Sequence, residues 1–314
     1  MAHTVSEAVE LFLAKRNGKV GARTMSDVKW RLRTFADYFK GKYLHQLHAG
    51  DIDNWLNKYD GWSQRSMLKR IRPLFGWAVN QRIVAINPIE SLPKYDTPKA
   101  SRKVYTPAQF INLLEWSRTN DEQMLSFLIL SGLCFLRTSE LVRLYGHEGV
   151  LRWEDIQWKR DRIIVREGVA KSTRRADDTR VIPIPKPMRK IAHVADLEKK
   201  HSGRVIGRLH YDHSEVWRKM HEECGFKPIA NGLRKSAISY RLAADPDLGV
   251  IQCAKWAGNS EATIKKHYLN TLMKEDGVAW FALPRLTWGW KPNIRLKSKQ
   301  AHPPVEGEPA AKRT

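Results

Sequence analysis

Apolar side chains recur every three or four residues through the first eighty positions, which predicts a series of amphipathic α-helices. The first helix follows Thr4, which forms a predicted capping box with Glu7. A second helix is predicted after Thr24, a third is capped by Asp51, and a fourth starts at Ser63. The apolar faces of these helices predict a helical core made of Val5, Ala8, Val9, Phe12, Leu13, Val28, Leu32, Phe35, Phe39, Ile52, Trp55, Leu56, Met67, Ile71, Leu74, Phe75 and Ala78.

The composition changes after Asn87 and Pro88, where the helical pattern ends. Residues 93–102, PKYDTPKASR, are rich in Pro and Lys and predict a linker that extends to about residue 105. A new helical run begins at residues 106–109, TPAQ, with a cap, a first-turn Pro and a capping-box Gln. We therefore predict two domains, over residues 1–97 and 106–290, and a disordered, Pro-rich and charged tail over residues 291–314.

Within the second domain, β-branched residues interrupt the helices. Residues 162–166 and 179–184 read as two strands joined by a polar connection, AKSTRRADD, which predicts a β-hairpin with a long basic tip. Helical patterns return from Ser214 and continue to a short helix over residues 261–267, for which Ser260 is the predicted N-cap. The predicted fold is mainly α with a small antiparallel β-sheet, of the α+β class.

The charge of the chain points to a polyanionic partner. The 314 residues contain 55 Lys and Arg against 33 Asp and Glu, a net charge of +22. These cations are spread through folded segments instead of one amphipathic helix, which favours nucleic acid over a membrane surface. Three isolated Cys residues support neither a zinc site nor a disulfide framework. The sequence shows no signal peptide and no apolar run of membrane-spanning length, so we expect a cytoplasmic protein with no membrane partner.

Two of the predicted helices in the first domain carry basic faces. On the fourth helix the basic residues are Arg65, Lys69, Arg70 and Arg72. A solvated surface would explain the charges of any one helix. Their repetition on the second and fourth helices predicts a surface that follows the phosphates of double-stranded DNA.

Four separated segments in the second domain carry candidate chemistry. They are LRTSEL at residues 136–141, VAKSTRR around Lys171, NGLRKSA at residues 231–237 and AGNSEATIKKHY ending at Tyr268. In order and local context they resemble the tyrosine recombinase, or phage integrase, family, and the resemblance covers about residues 4–285. It implies a helical core-binding domain followed by a mixed α/β catalytic domain.

The resemblance also implies a role for each matching residue. Arg137 and Arg234 would bind the DNA phosphate, since guanidinium stays charged and matches phosphate geometry. Lys171 would protonate the leaving oxygen, Tyr268 would attack the phosphorus, and Glu140 would support the arginines. Further DNA contacts are expected from Arg174, Arg175 and Lys235. The chemistry needs no metal or other cofactor.

Two positions depart from the family pattern at residues that matter for proton transfer. Asn231 and Asn259 stand where the family has His, or in the second case sometimes Trp. An amide can donate a hydrogen bond to a phosphate oxygen, but it does not exchange protons near neutral pH. His267, beside Tyr268, is a weak substitute because adjacent helical residues point about 100° apart. In addition, Phe135 stands where a Gly commonly precedes the Leu-Arg pair.

These features leave three functions open. The favoured one is a site-specific DNA recombinase that works through a 3′-phosphotyrosine, as a homo-tetramer on two DNA sites. The alternative is a DNA-binding protein of integrase descent that has lost efficient catalysis, and a type IB topoisomerase is a less favoured third. The apolar residues after Tyr268, between 272 and 283, are expected to dock on a neighbouring protomer or on their own chain.

Overall fold

The computed structural model describes residues 2–96, 103–144, 149–169, 179–268 and 272–283. Over these residues the chain is mainly α-helical with one small antiparallel sheet, which confirms the predicted fold class. The helices are α1 (Val5–Arg16), α2 (Ala22–Tyr38), α3 (Ala49–Leu56), α4 (Gly61–Asn80), α5 (Pro107–Asn120), α6 (Glu122–Leu133), α7 (Thr138–Leu141), α8 (Lys186–Val194), α9 (His210–Glu223), α10 (Gly232–Ala244), α11 (Gly249–Ala257), α12 (Glu261–His267) and α13 (Lys274–Ala282).

Helices α1 to α4 enclose the first hydrophobic core, which contains every apolar residue predicted for it. The capping box of Thr4 and Glu7 forms as predicted. Three helices begin earlier than predicted. Helix α3 starts at Ala49, so Asp51 lies in its first turn, where its carboxylate accepts a 3.0 Å hydrogen bond from the His48 amide. Helix α2 starts at Ala22, and α4 starts at Gly61 because Asp60 caps it by accepting a 2.8 Å hydrogen bond from the Ser63 amide. These shifts leave the buried faces unchanged.

The second core is built around α6, in which every residue from Met124 to Leu133 is buried. A helix that is apolar on all sides is stable only when other elements surround it. Helices α5, α8, α9 and α10 supply this cover. The two cores are separate clusters, over residues 5–89 and 105–283, which supports the proposed division into two domains.

The sheet has three strands, β1 (Ile156–Gln157), β2 (Arg162–Val165) and β3 (Arg180–Pro183), in the order β1-β2-β3. The predicted hairpin is β2 and β3, which pair antiparallel with Ile163 opposite Ile182. Strand β1 was not predicted, because two residues are too short to show a strand periodicity. The hairpin tip, with Lys171, Arg174 and Arg175, lies outside the described residues.

Helix α13 packs on its own chain. Trp280 is fully buried and stacks between Phe110, at a centroid distance of 4.3 Å, and Tyr240, at 4.6 Å. Its indole N–H donates to the Gly132 carbonyl at 2.9 Å. Gly277 permits α13 to lie close against α10, since a Cβ there would lie 2.4 Å from the backbone nitrogen of Ala244.

No helix among the described residues is both long enough and apolar enough to span a membrane.

Candidate active site

The candidate residues of the second domain converge from several elements. Arg137 is the N-cap of α7, Arg234 lies in the first turn of α10, and Asn259 lies in the loop between α11 and α12. Tyr268 caps the carboxyl end of α12, which Ser260 begins as predicted. Residues more than 120 positions apart in the chain are thus brought to one place.

Arg137 anchors one side of the site. Its Nη1 donates to Glu140 Oε1 at 2.8 Å, and its Nη2 donates to the Gly258 carbonyl at 2.5 Å and to Asn259 Oδ1 at 2.6 Å. A guanidinium carries five N–H donors. Three of them are used within the described residues, so two remain to meet a ligand.

Arg234 contacts the same amide and is only 5% exposed. It donates to the carbonyls of Phe135 and Ala257, and to Asn259 Oδ1 at 3.2 Å. Burial, followed by the nearby charge of Arg137, lowers the pKa of Arg234. An arginine nevertheless stays protonated at neutral pH, so the site holds two cations that share one amide oxygen.

The backbone conformation of Phe135 directs its carbonyl toward Arg234. Its φ of +61° lies in the left-handed region, where glycine is favoured, and this accounts for the Gly that commonly occupies the position in the family pattern. The Phe side chain is buried and stacks on Trp256, with centroids 6.3 Å apart. The ring packing therefore offsets the backbone strain.

Glu140 lies beneath the arginines with no exposed surface. Its carboxylate accepts from Arg137 and, at 2.6 Å, from Arg180 Nη2. Burial works to raise the pKa of Glu140, but the charge and hydrogen bond of Arg180, with Arg234 and Arg137, outweigh it and lower the pKa. Three arginines against one carboxylate leave a net charge of two positive units in the site, which suits a phosphodiester.

Arg180 is a site residue that the sequence predictions missed. It is 9% exposed on β3, and its Nε donates to the Trp256 carbonyl at 3.0 Å. Gly258 permits this approach, with a φ of +61° and an absent Cβ that would lie 3.2 Å from the Arg180 side chain. The alternation of side chains along β3 indicates that Arg180 points inward, because it shares a face with the buried Ile182.

The two asparagines are placed differently. Asn259 has its oxygen occupied by the two arginines, while its buried Nδ2 has no hydrogen-bond partner within the described parts of the chain. Asn231 is exposed and precedes α10 with a φ of +53°, a conformation that Asn tolerates better than most residues. Asn259 therefore lies inside the arginine cluster with a spare donor, and Asn231 lies at its edge.

Tyr268 completes the group from the end of α12. Its backbone carbonyl accepts a 2.7 Å hydrogen bond from the Ser239 hydroxyl on α10, and its half-buried ring packs against the second core. Tyr268 also contributes to the electrostatic environment that sets the pKa of Arg234, which places the two side chains within electrostatic range of each other. Two cations and an amide therefore share one site, with Tyr268 within electrostatic range of it, and this arrangement is suited to a phosphate ester.

The other residues predicted to contact DNA differ in their exposure and in their ion pairs. On α4, Arg65, Lys69 and Arg72 are exposed, whereas Arg70 donates to Asp27 at 2.7 Å and ties α4 to α2. Lys235 is half-buried beside Arg234. Lys171, Arg174 and Arg175 lie outside the described residues, so their roles stay predictions.

Comparison with solved structures places this fold among DNA integrases. No protein-family model and no curated protein matches the sequence. The Tn1549 transposon integrase in complex with a circular intermediate DNA is 15% identical over 88% of this chain and 98% of its own, with a TM-score of 0.66. A lambda integrase dimer bound to a core site is 11% identical over 86% of this chain and 78% of its own, with a TM-score of 0.68.

A lambda integrase tetramer bound to a Holliday junction is also similar, at 12% identity over 83% of this chain and 75% of its own, with a TM-score of 0.63. The chain therefore has the fold of the DNA integrases. The likeness spans both helical parts of the chain, and it confirms at the level of the fold the resemblance to tyrosine recombinases that the four segments indicated.

Proposed function

We propose that this protein is a site-specific DNA recombinase that cuts and rejoins strands through a covalent 3′-phosphotyrosine. The observation that carries the proposal is the meeting of Arg137 and Arg234 at the amide oxygen of Asn259, within electrostatic reach of Tyr268. Two fixed cations stabilise the negative charge that develops on the non-bridging phosphate oxygens during attack. A phenol held beside them is a suitable nucleophile.

In the proposed reaction the Tyr268 oxygen attacks the phosphorus, and the bond from phosphorus to the 5′ oxygen breaks. The phenol gives its proton to solvent water, and the leaving 5′ oxygen gains one from a donor that solvent reprotonates, so no net proton is consumed. Lys171 is the proposed donor to the leaving oxygen. The new phosphotyrosine bond conserves the energy of the phosphodiester, so the strand can be rejoined without a nucleotide cofactor.

The proposed partner is double-stranded DNA, and the proposed assembly is a homo-tetramer on two sites. The net charge of +22 and the exposed Arg65, Lys69 and Arg72 support DNA binding. Support also comes from the integrases of the same fold, which were solved on DNA, one of them as a tetramer.

A second candidate function is a DNA-binding protein that cuts inefficiently. Asn231 and Asn259 favour it, because neither amide can transfer a proton. General acid-base help is typically worth about a hundred- to ten-thousand-fold in rate. The two functions differ in whether a covalent adduct forms.

Trapping on nicked DNA tests the proposal. A pool of duplexes with nicks at many positions is incubated with the protein and denatured in detergent, and the adduct is counted by gel. We expect an adduct from the native protein and from Tyr211→Phe, whose phenol is 69% exposed on α9, but none from Tyr268→Phe. Tight DNA binding with no adduct from the native protein would overturn the proposal in favour of the second function.

A further inference from the structure

A cavity of about 360 Å³ opens beside the arginine cluster. It lies between α6, α9 and the loop that precedes α10, and its walls include Phe127, Leu136 and Trp217. Its volume falls at the lower end of the roughly 300–1,000 Å³ found for small-ligand pockets. Trp217 and Phe127 pack edge to face, at a centroid distance of 5.7 Å, and give the cavity an aromatic wall.

Two buried polar side chains in the lining of this cavity have an atom with no hydrogen-bond partner among the described residues. His213 on α9 is 3% exposed, and its Nδ1 has no hydrogen bond. The hydroxyl of Ser131 on α6, which is also 3% exposed, has none either. Unsatisfied polar atoms are rare in protein interiors, so a pair of them beside one cavity indicates a ligand that forms hydrogen bonds. Both atoms have almost no accessible surface, so a ligand would reach them after a rotation of the two side chains. Burial lowers the pKa of His213 to about 4, so the ring is neutral at pH 7 and offers one donor and one acceptor.

One end of the cavity is cationic. Arg137 and Arg234 contribute to its lining, with the exposed Asn231 beside them. A ligand that fills this space would therefore have a flat, hydrogen-bonding body against the aromatic wall and an anionic group at the arginines. A nucleobase attached to a phosphate has both properties.

We propose that this cavity receives one nucleobase, unstacked from the duplex beside the phosphate that Arg137 and Arg234 bind. The inference rests on the proposed function, because it places the scissile phosphate at the arginine cluster. Removing a base from its stack is costly, and the aromatic wall with the free groups of His213 and Ser131 compensates for that cost. The base that enters is then read by hydrogen bonds, which adds sequence selectivity at the cleavage point.

Photo-crosslinking tests the inference without knowledge of the DNA site. The protein is bound to random duplexes in which 5-iododeoxyuridine replaces thymidine, the complexes are isolated, and irradiation links the iodinated base to any aromatic side chain that it contacts. Peptides are then identified by mass. A second sample contains only 5-iododeoxyuridine monophosphate, which separates a base of bound DNA from a free nucleotide.

Two variants on α9 supply the control. Ser214 is exposed at the rim of the cavity, so Ser214→Trp should obstruct the entrance while leaving the core intact. Glu215→Trp adds the same side chain one position further, about 100° around the helix and away from the cavity lining. Thermal melting checks that both variants fold.

We expect crosslinks to Trp217, Phe127 or His213 in the native protein and in Glu215→Trp, and a reduction of about tenfold in Ser214→Trp. Crosslinks with DNA support the inference whether or not the free monophosphate also enters the cavity, and crosslinks with the monophosphate but not with DNA would overturn it. Absence of crosslinks at these residues in both samples, or equal yields in the two variants, would overturn the inference. The covalent adduct on nicked DNA is scored separately, so failure here leaves the proposed recombinase function standing.

Discussion

The carboxylate of Glu140 offers the sharpest test of how the arginine cluster is held together. It is fully buried and accepts three charge-assisted or backbone hydrogen bonds, from Arg137 Nη1 at 2.8 Å, from the Arg137 amide at 2.8 Å and from Arg180 at 2.6 Å. In Glu140→Gln the side chain keeps its shape, but it loses its charge and points an NH2 group at a guanidinium. Breaking a buried ion pair from one side typically costs about 3–5 kcal/mol, and we expect about 3 because one acceptor remains.

For a domain of this size, about 3 kcal/mol lowers the melting temperature by roughly 6–12 °C. Differential scanning calorimetry at pH 7 measures it. The matched control is Glu154→Gln, because Glu154 is exposed and pairs with Arg152 at 3.2 Å, so its loss should leave the melting temperature almost unchanged. Equal shifts in the two variants would refute the conclusion that Glu140 neutralises the cluster.

The pH dependence provides a second test of the same pair. The pKa of Glu140 is lower in the folded protein than in the unfolded chain, where it is about 4.3. Its contribution to stability is therefore complete above about pH 4.3 and is lost as the pH falls through the folded-state pKa. The stability difference between the native protein and Glu140→Gln should be constant from pH 7 to about 5 and should shrink below about 4. A difference that grows on acidification would contradict this.

Three further predictions concern other parts of the chain. Reversing the charges of Arg65 and Lys69 on α4 should reduce the slope of log affinity against log salt by about 2, measured by fluorescence anisotropy with duplex DNA. Because Phe135 has a positive φ, Phe135→Gly should be more stable than Phe135→Ala by about 1 kcal/mol in urea denaturation. Asn231→His should speed adduct formation on nicked DNA by up to about a hundredfold, with a gain that varies between pH 5.5 and 7.5.

Each of these has a control. Lys15 is exposed on α1, and Lys19 is exposed just after it. Reversing both charges changes the net charge of the domain as much as the α4 variant does and should leave the salt slope nearly unchanged. The control for Phe135 is Met188, which is buried in α8, and there Met188→Gly should be less stable than Met188→Ala. An unaltered salt slope in the α4 variant would contradict the assignment of a DNA-binding surface there. A Phe135→Ala variant more stable than Phe135→Gly would contradict the backbone argument. A rate gain in Asn231→His that is independent of pH would contradict the proton-transfer argument.

Local chemistry made much of the fold predictable. Helix α12 begins after Ser260 and ends before Tyr268 as predicted, because a hydroxyl cap and a run without Gly or Pro define its bounds within a few residues. The capping boxes at Thr4 and Thr106 likewise begin their helices as predicted. Helix starts were wrong by a few residues where a neighbouring cap competed, as Asp60 did with Ser63. The two-residue strand β1 had no detectable periodicity.

The candidate site was predictable only in part, because its partners are distant in sequence. Arg137, Glu140, Arg234 and Asn259 were expected from the four segments, and they contact one another in the structure. Arg180 was missed, because spacing alone does not show that a strand residue reaches Glu140 across 40 positions. The spare Nδ2 of Asn259 could not be predicted from the sequence either, since it depends on which atom of the amide faces the arginines.

The central claim is that Tyr268 becomes covalently bonded to DNA. The most direct measurement is to isolate the detergent-stable adduct, digest it with protease and nuclease, and sequence the nucleotide-bearing peptide by mass spectrometry. We expect a single modified peptide, which contains Tyr268, with the phosphate on Tyr268 and the strand joined through its 3′ end. A modified residue elsewhere, a 5′ linkage, or no modified peptide from protein that binds DNA tightly would contradict it.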